Sequence, residues 1–294
     1  MSAADVDNVV EEFLSDIDSV DRSRIANGFA HHRLSDALRI IRETGYQSVA
    51  LTVESDLLDP PDHRGVEKAV RAVKPVFDDL GLRVTIETGA RFILDPRRKH
   101  QPTLISAPAA DRQRRMDFLK AAVDIAAALS ADSVSLWSGV SDDGAQGAES
   151  FDRLVAGLQD LLRHAEGTDV RLAFEPEPGM LIDTMDQFRR LHEAIAHPQF
   201  GLTLDVGHVY CLADGDLRDH LRRWKNVLWN VHIEDMRRGL HEHLMFGDGE
   251  MDFGPVFSAL REIDYRGPIH VELSRHSHNA VEAARQSYQF LSSL

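Results

Sequence analysis

The fold class predicted by this sequence is a single (β/α)8 barrel preceded by a short amphipathic helix, and three observations carry the prediction. Short apolar runs, too brief for independent helices and rich in β-branched or aromatic residues, alternate with eight longer segments of helical periodicity. No stretch rich in Pro, Gly or Ser divides that alternation into two domains. The first strand–helix turn has no G-x-G-x-x-G, which weakens the dinucleotide-binding version of a doubly wound sheet, the main competing architecture. A length of 294 residues suits one large barrel or two average domains, so the alternation decides. The expected boundaries are 1–23 for the helical extension and 24–294 for the barrel.

Each element has its own signal. Val6, Val9, Val10, Phe13, Leu14 and Ile17 fall on one helical face with acidic residues on the other. Covering one end of the barrel is the plain role for such a helix, and binding a partner is the alternative. Strands are expected at 25–30, 46–54, 82–87, 133–137, 170–175, 200–205, 227–232 and 268–272. Helices are expected at 34–43, stopped by Thr44-Gly45, at 66–80, ended by Gly81, and at 112–129, 151–164, 185–195, 216–224, 255–263 and 280–291. Pro255 suits the first turn of its helix. The irregular stretch 88–110, with Arg91, Arg97, Arg98, Lys99 and His100, has the length of a lid or binding loop. Asp142-Asp143-Gly144 reads as a turn.

Bulk properties narrow the function. A formal net charge of −15 opposes binding to a polyanion, so nucleic acid is not an expected partner. A single cysteine, Cys211, permits no internal disulfide, and the N-terminus lacks both a basic start and an apolar core. No apolar run reaches the roughly 18 residues of a membrane span. The expectation is a cytoplasmic protein without a membrane partner; its oligomeric state, including a homo-oligomer, stays open.

The last four strands end in Glu175, Asp205, His232 and Glu272. In a (β/α)8 barrel chemistry sits at the C-terminal strand ends, and strands five to eight are neighbours around half of the ring. Side chains at i and i+2 share a face, so Glu177 follows Glu175, Glu234 follows His232, and Ser274 follows Glu272. Two carboxylates, an Asp and a His delivered to one rim form a donor set for a divalent cation, Mn, Mg, Co or Zn. Gly207 allows the chain after Asp205 to turn so that His208 approaches the same centre.

The motifs Phe174-Glu175-Pro176-Glu177-Pro178-Gly179, Leu204-Asp205-Val206-Gly207-His208, Val231-His232-Ile233-Glu234-Asp235, Gly247-Asp248-Gly249-Glu250-Met251-Asp252-Phe253 and His270-Val271-Glu272-Leu273 resemble the xylose isomerase-like TIM-barrel family. That family includes sugar isomerases, ketose 3-epimerases, inosose dehydratases and the endonuclease IV group. The resemblance covers roughly residues 24–292 and is specific in the second half. It implies that Glu175, Asp205, His232 and Glu272 hold one divalent metal ion. His208 matches a substrate-contacting or second-metal histidine, Glu177 stands with the substrate side chains, and Arg238 falls about where epimerase-like members place a substrate-contacting arginine.

Moving a carbonyl along a sugar, or inverting the carbon beside it, needs removal of a weakly acidic C–H proton and stabilisation of an enediolate. Glu175 and Glu272, on strands far enough apart to flank a substrate, are the candidate catalytic bases, each also binding metal through one oxygen. The expected activity is therefore a metal-dependent isomerase or epimerase of a ketose, sugar phosphate or cyclitol, with a small sugar-like molecule as partner. The first alternative is a phosphodiesterase of the endonuclease IV type, which needs further ligands. Its candidates are His31, His32, His100, His208, His241 and His243, with His241 and His243 as a possible second metal site. Glu54 and Glu87 stand where that type carries His. The second alternative is a sugar-binding barrel without turnover, against which two opposed carboxylates argue. Arg97-Arg98-Lys99-His100 and Ser274-Arg275-His276-Ser277-His278 are candidate clamps for a phosphate or carboxylate, or simply solvated charge.

Overall fold

The computed structural model describes residues 21–54, 57–58, 61–141 and 147–294. The helix expected over the N-terminal segment lies outside them. The strands are β1 (Asp21–Ile25), β2 (Ser48–Thr52), β3 (Arg83–Glu87), β4 (Val134–Leu136), β5 (Leu172–Phe174), β6 (Phe200–Asp205) and β7 (Leu228–Ile233), then β8 (Asp235–Arg237), β9 (Leu240–Leu244) and β10 (Pro268–Val271). Eight of them close a parallel barrel in the order β1-β10-β7-β6-β5-β4-β3-β2, and β8 and β9 form a separate antiparallel hairpin. The predicted (β/α)8 barrel is the observed architecture.

Around the barrel lie α1 (Leu34–Thr44), α2 (His63–Leu80), α3 (Ala109–Leu129), α4 (Ala148–Ala165) and α5 (Met185–Ile195). They are followed by α6 (Val206–Leu212), α7 (Leu217–Trp224), α8 (Gly254–Glu262) and α9 (Ala280–Ser292). Helix α5 shows why these segments are helical: Thr184 and Gln187 make a capping box, and Phe188, Leu191 and Ile195 form its buried stripe. Strand residues such as Val49, Leu51, Ile86 and Leu204 share one core with helix residues such as Leu38, Phe77, Leu119 and Leu158. No helix among the described residues is long and apolar enough to cross a membrane.

The alternate strand positions face inward, and they are small or polar. Ser23 bonds Ser48, Thr203 donates to Ser135 Oγ (3.1 Å), and Asn230 Oδ1 lies 2.7 Å from His270 Nδ1. This polar ladder fills the barrel where branched apolar side chains are usual. It continues upward directly into the charged residues of the rim.

Strand β1 corrects the expected boundaries, because Asp21–Ile25 is the strand and Ala26–Phe29 is a single 3-10 turn. The sequence Arg22-Ser23-Arg24-Ile25 reads as surface, yet Arg24 is fully buried, its guanidinium over the Phe29 ring at 5.6 Å. Two features went unforeseen: α6, which starts at the end of β6, and the β8–β9 hairpin. Asp235 anchors that hairpin to the next loop. Its Oδ2 accepts from Gly247 N (2.8 Å) and Gly249 N (3.1 Å), and its Oδ1 from Met236 N (2.9 Å) and Met251 N (3.1 Å).

Two outcomes follow from this packing. A Cβ at Gly201 would overlap Val227 O and lie 2.9 Å from the Trp229 ring, so Gly201→Ala should lose about 1–3 kcal/mol and melt at a lower temperature. Asp235→Ala leaves four backbone N–H groups without their acceptor, and hydrogen exchange at residues 247–251 should accelerate at least roughly tenfold while barrel amides stay protected.

Candidate functional site

The four predicted strand-end residues meet. Glu175 follows β5, Asp205 ends β6, His232 is in β7 and Glu272 follows β10. One ligand atom from each lies within 4.8 Å of the others. His232 is central: its Nδ1 is 2.9 Å from Glu175 Oε1 and 3.3 Å from Glu272 Oε2. Its other nitrogen, Nε2, is 3.1 Å from Glu87 Oε1 and 3.0 Å from the Asn230 amide. With Nε2–H donating to Glu87, Nδ1 is the nitrogen left for a cation.

Asp205 has two tasks. Its Oδ1 caps α6 by accepting from His208 N (2.8 Å), and its Oδ2 stays free at 3.4 Å from His208 Nε2. Gly207 permits the arrangement, since a Cβ there would overlap Glu234 Oε1 and lie 2.8 Å from Met236 Cε. His241 and His243 alternate on β9 and face His208, with ring centroids 4.8 and 6.0 Å from it. Glu177 Oε1 is 3.8 Å from His241 Nε2, and its Oε2 is 3.8 Å from His208 Nε2.

Burial penalises every charge here, and neighbours decide which survive. It pushes Glu175 up to about 7, with His232 offsetting part of the effect. Burial also raises Glu177 and Glu234 well above the carboxylate range, reinforced by the charges of Glu175 and Asp205 respectively. For Asp205, burial is outweighed by His208 and His243, and for Glu272 by His243 and His232, so both lie below their ordinary values. Burial likewise opposes charge on His232, but Glu175 and Glu87 overcome it and its pKa rises well above the ordinary value. His208, by contrast, falls to about 4 through burial.

Several donor atoms in this group are buried without a hydrogen-bond partner: Asp205 Oδ2, His208 Nε2, both Glu234 oxygens, His241 Nε2 and His243 Nδ1. Buried polar atoms are otherwise almost always paired. A set of carboxylate oxygens and imidazole nitrogens left open in this way fits a hard or borderline divalent ion. Glu175, Asp205, His232 and Glu272 bring one ligand atom each within 4.8 Å, Asp205 Oδ2 being the unpartnered one, and His208, His241 and His243, with their open nitrogens, make a second group within the same distance.

Glu175, His232 and Glu272 of the first group line a cavity of about 300 Å³, walled by Asn27, Thr52, Trp137 and Met180 among others. Arg115 is buried beneath the wall, donating to Thr88 O (2.7 Å) with its guanidinium 4.7 Å from the Trp137 ring. Of the other candidates, His100 lines the cavity and its Nδ1 meets Gly89 O at 2.6 Å. His31 is exposed and His32 packs on Phe29 at 5.2 Å. Arg98 pairs with Asp95 (2.7 Å). Arg238 is not brought into this group: it is exposed past β8, over the Tyr210 ring at 4.6 Å, and lines a separate groove.

Sequence reasoning named Glu87 only as a strand end lacking His, and missed Asn230 and Trp137. The pattern did hold a signal for Asn230, which shares the inward face two positions before His232. No spacing rule marks Glu87, because its contact to His232 crosses the barrel.

A family model described as a xylose isomerase-like TIM barrel matches residues 38–294. The L-ribulose-5-phosphate 3-epimerase of Escherichia coli is 26% identical over 125 residues, 42% of this chain and 44% of that protein. The chain spans about half the length of the curated relatives it matches. Among solved structures, 3-keto-D-glucoside 4-epimerase from E. coli superposes with a TM-score of 0.75 at 16% identity, covering 94% of this chain and 100% of that one. D-allulose 3-epimerase from Methylomonas sp., solved with D-allulose, gives 0.72 at 19% identity, covering 93% and 96%. At these identities the structural likeness speaks for the fold. With the family model covering the barrel from α1 to the C-terminus, the chain belongs to the xylose isomerase-like TIM-barrel family.

Proposed function

We propose that this protein is an isomerase or epimerase of a ketose, sugar phosphate or cyclitol that holds one divalent cation on Glu175, Asp205, His232 and Glu272. The observation that carries the reading is the convergence of those four ligand atoms within 4.8 Å, three of their residues lining one cavity. The names of the relatives, sugar epimerases all three, point the same way. A divalent ion bound there supplies Lewis-acid stabilisation of the negative charge that proton removal creates.

The chain's own groups do the rest. Glu175 and Glu272 reach the cavity from β5 and β10 with His232 between them, so one takes the proton from carbon and the other returns it. Each keeps one oxygen for the cation and one for the proton. Glu87 fixes the His232 ring, and Glu177 borders the same space as a hydroxyl partner for the substrate, with His208 3.8 Å behind it. Trp137 places an aromatic ring in the wall of that space.

A second reading, two-metal hydrolysis of a phosphodiester, is favoured by one observation: the unpartnered nitrogens of His208, His241 and His243. Against it, β2 and β3 end in Thr52 and Glu87 where that chemistry needs further ligands, and the net charge is −15. Metal stoichiometry and turnover separate the two.

Elemental analysis of purified protein should give one equivalent of Mn, Mg, Co or Zn, and heavy-water incubation with a panel of ketoses, sugar phosphates and inososes should place solvent deuterium on carbon. Glu175→Gln and Glu272→Gln should each lower kcat by roughly 10²–10⁴. Metal-free protein, or faster cleavage of abasic DNA than of any sugar, would overturn the reading. Glu87→Ala should weaken metal affinity by roughly 10–100-fold, read by competition with a chelating dye, as expected when the partner that orients a ligating His is removed.

A further inference from the structure

The cavity has a cationic rim above its acidic floor. Arg91 and Lys99 come from the loop after β3, and Arg275 from the 3-10 segment Ser274–Asn279 after β10, and all three line the same space as Glu175 and Glu272. The loop after β3 stands three strands round the barrel from β6, and Arg275 is exposed at the mouth, so the rim cations face the part of a substrate that the floor does not hold.

Their partners are few. The side chains of Arg91 and Lys99 have no ion pair or hydrogen bond among the described residues, and Arg275 meets only Glu242, at 3.3 Å, on the outer side. If these cations merely balanced the floor carboxylates, they would be paired with them. Arg98, one position before Lys99, illustrates that outcome by pairing with Asp95. Lys99 is close to its fellow cations. Burial and then the field of Arg91 hold its ammonium below the ordinary value, with Arg275 adding and Glu177 opposing.

Three cations assembled at one mouth, Arg91 and Lys99 without carboxylate partners and Arg275 paired only with Glu242, repel one another, in a chain whose net charge is −15. An oxyanion between them removes that repulsion and gains charge-assisted hydrogen bonds, two of them from arginine forks. A neutral sugar would leave the rim uncompensated. Resting on the proton-transfer reading above, we propose that the substrate carries a terminal oxyanion, phosphoryl or carboxylate, gripped by Arg91, Lys99 and Arg275 while its hydroxy-ketone end lies on the floor. The neutral His100 and the Trp137 ring line the path between the two ends.

Calorimetric titration of the metal-loaded full chain with ribulose 5-phosphate, ribulose and tagaturonate tests this directly. The two anions separate phosphoryl from carboxylate as the preferred group. At least one of them should bind tenfold or more tighter than ribulose, and the advantage should shrink as salt rises. The double variant Arg91→Leu/Lys99→Met, and independently Arg275→Leu, should bring the anion-to-neutral affinity ratio towards one. A merely structural role would change both affinities together and leave the ratio standing. A ratio near one in the unsubstituted protein, or a ratio unmoved by the variants, overturns the anion subsite and leaves the proton-transfer reading intact. A high ratio without deuterium uptake from heavy water for any compound supports the subsite and sinks that reading instead.

Discussion

Crowded buried carboxylates are the constraint on which the rest of this structure depends. Glu87, Glu175, Asp205, Glu234 and Glu272 point at one end of the barrel, together with Glu177 from the loop above. A group of acids so close cannot all ionise without cations among them. His232 is the first answer, with Glu175, Glu272 and Glu87 all within 3.3 Å of its two nitrogens. The nitrogens of His208, His241 and His243 stand beside the same acids as open donor atoms for a cation, His208 itself kept neutral by burial. The polar barrel interior below, from Ser23 through Thr203 to Asn230 and His270, is what lets these charges be held in place on hydrogen bonds.

The backbone is adapted to that crowding at a few named points. Asp205 caps α6 with one oxygen, so its second oxygen is aimed by a helix instead of by a mobile side chain. Gly207 makes room for Glu234 beneath the same helix. Asp235 ties the β8–β9 hairpin to residues 247–251, and the hairpin in turn presents His241 and His243 to His208. The Asp205 and Asp235 devices use main-chain N–H groups as fixed positive ends, which cost no side-chain entropy when a ligand arrives.

What the sequence made legible has a pattern. Glu175, Asp205, His232 and Glu272 could be read because each closes an apolar strand and the barrel puts strand ends together. His208 could be read because Asp-Val-Gly-His places Gly at the turn. Strand β1 was displaced because Arg22 and Arg24 interrupt its apolar pattern, although Arg24 is buried. The hairpin was missed because Leu240-His241-Glu242-His243-Leu244 lies on the rim, half exposed, and lacks the alternation of a strand with one buried apolar face. Arg238 was placed by resemblance alone, and the exposed end of β8 carries it outward to Tyr210. Glu87 and Asn230 act across the barrel, where no local spacing reports.

Under the proposed reading Glu175 and Glu272 hold a cation and also move a proton, and a carboxylate loses basicity when it binds a cation. For Glu175 the same crowding offsets that loss, whereas for Glu272 burial is outweighed by His243 and His232, which hold it below its ordinary value. Burial and the charges of Glu272 and Asp205 raise the proton affinity of Glu175, and burial with Glu175 and Glu272 raises that of Glu177 beside it. A bound divalent ion lowers these affinities from a raised starting point, leaving them nearer neutrality than an isolated ligating carboxylate would be. The excess of acids over what a cation needs as ligands is then a means of keeping Glu175 basic while it holds the cation, with Glu177 beside it as a second raised carboxyl.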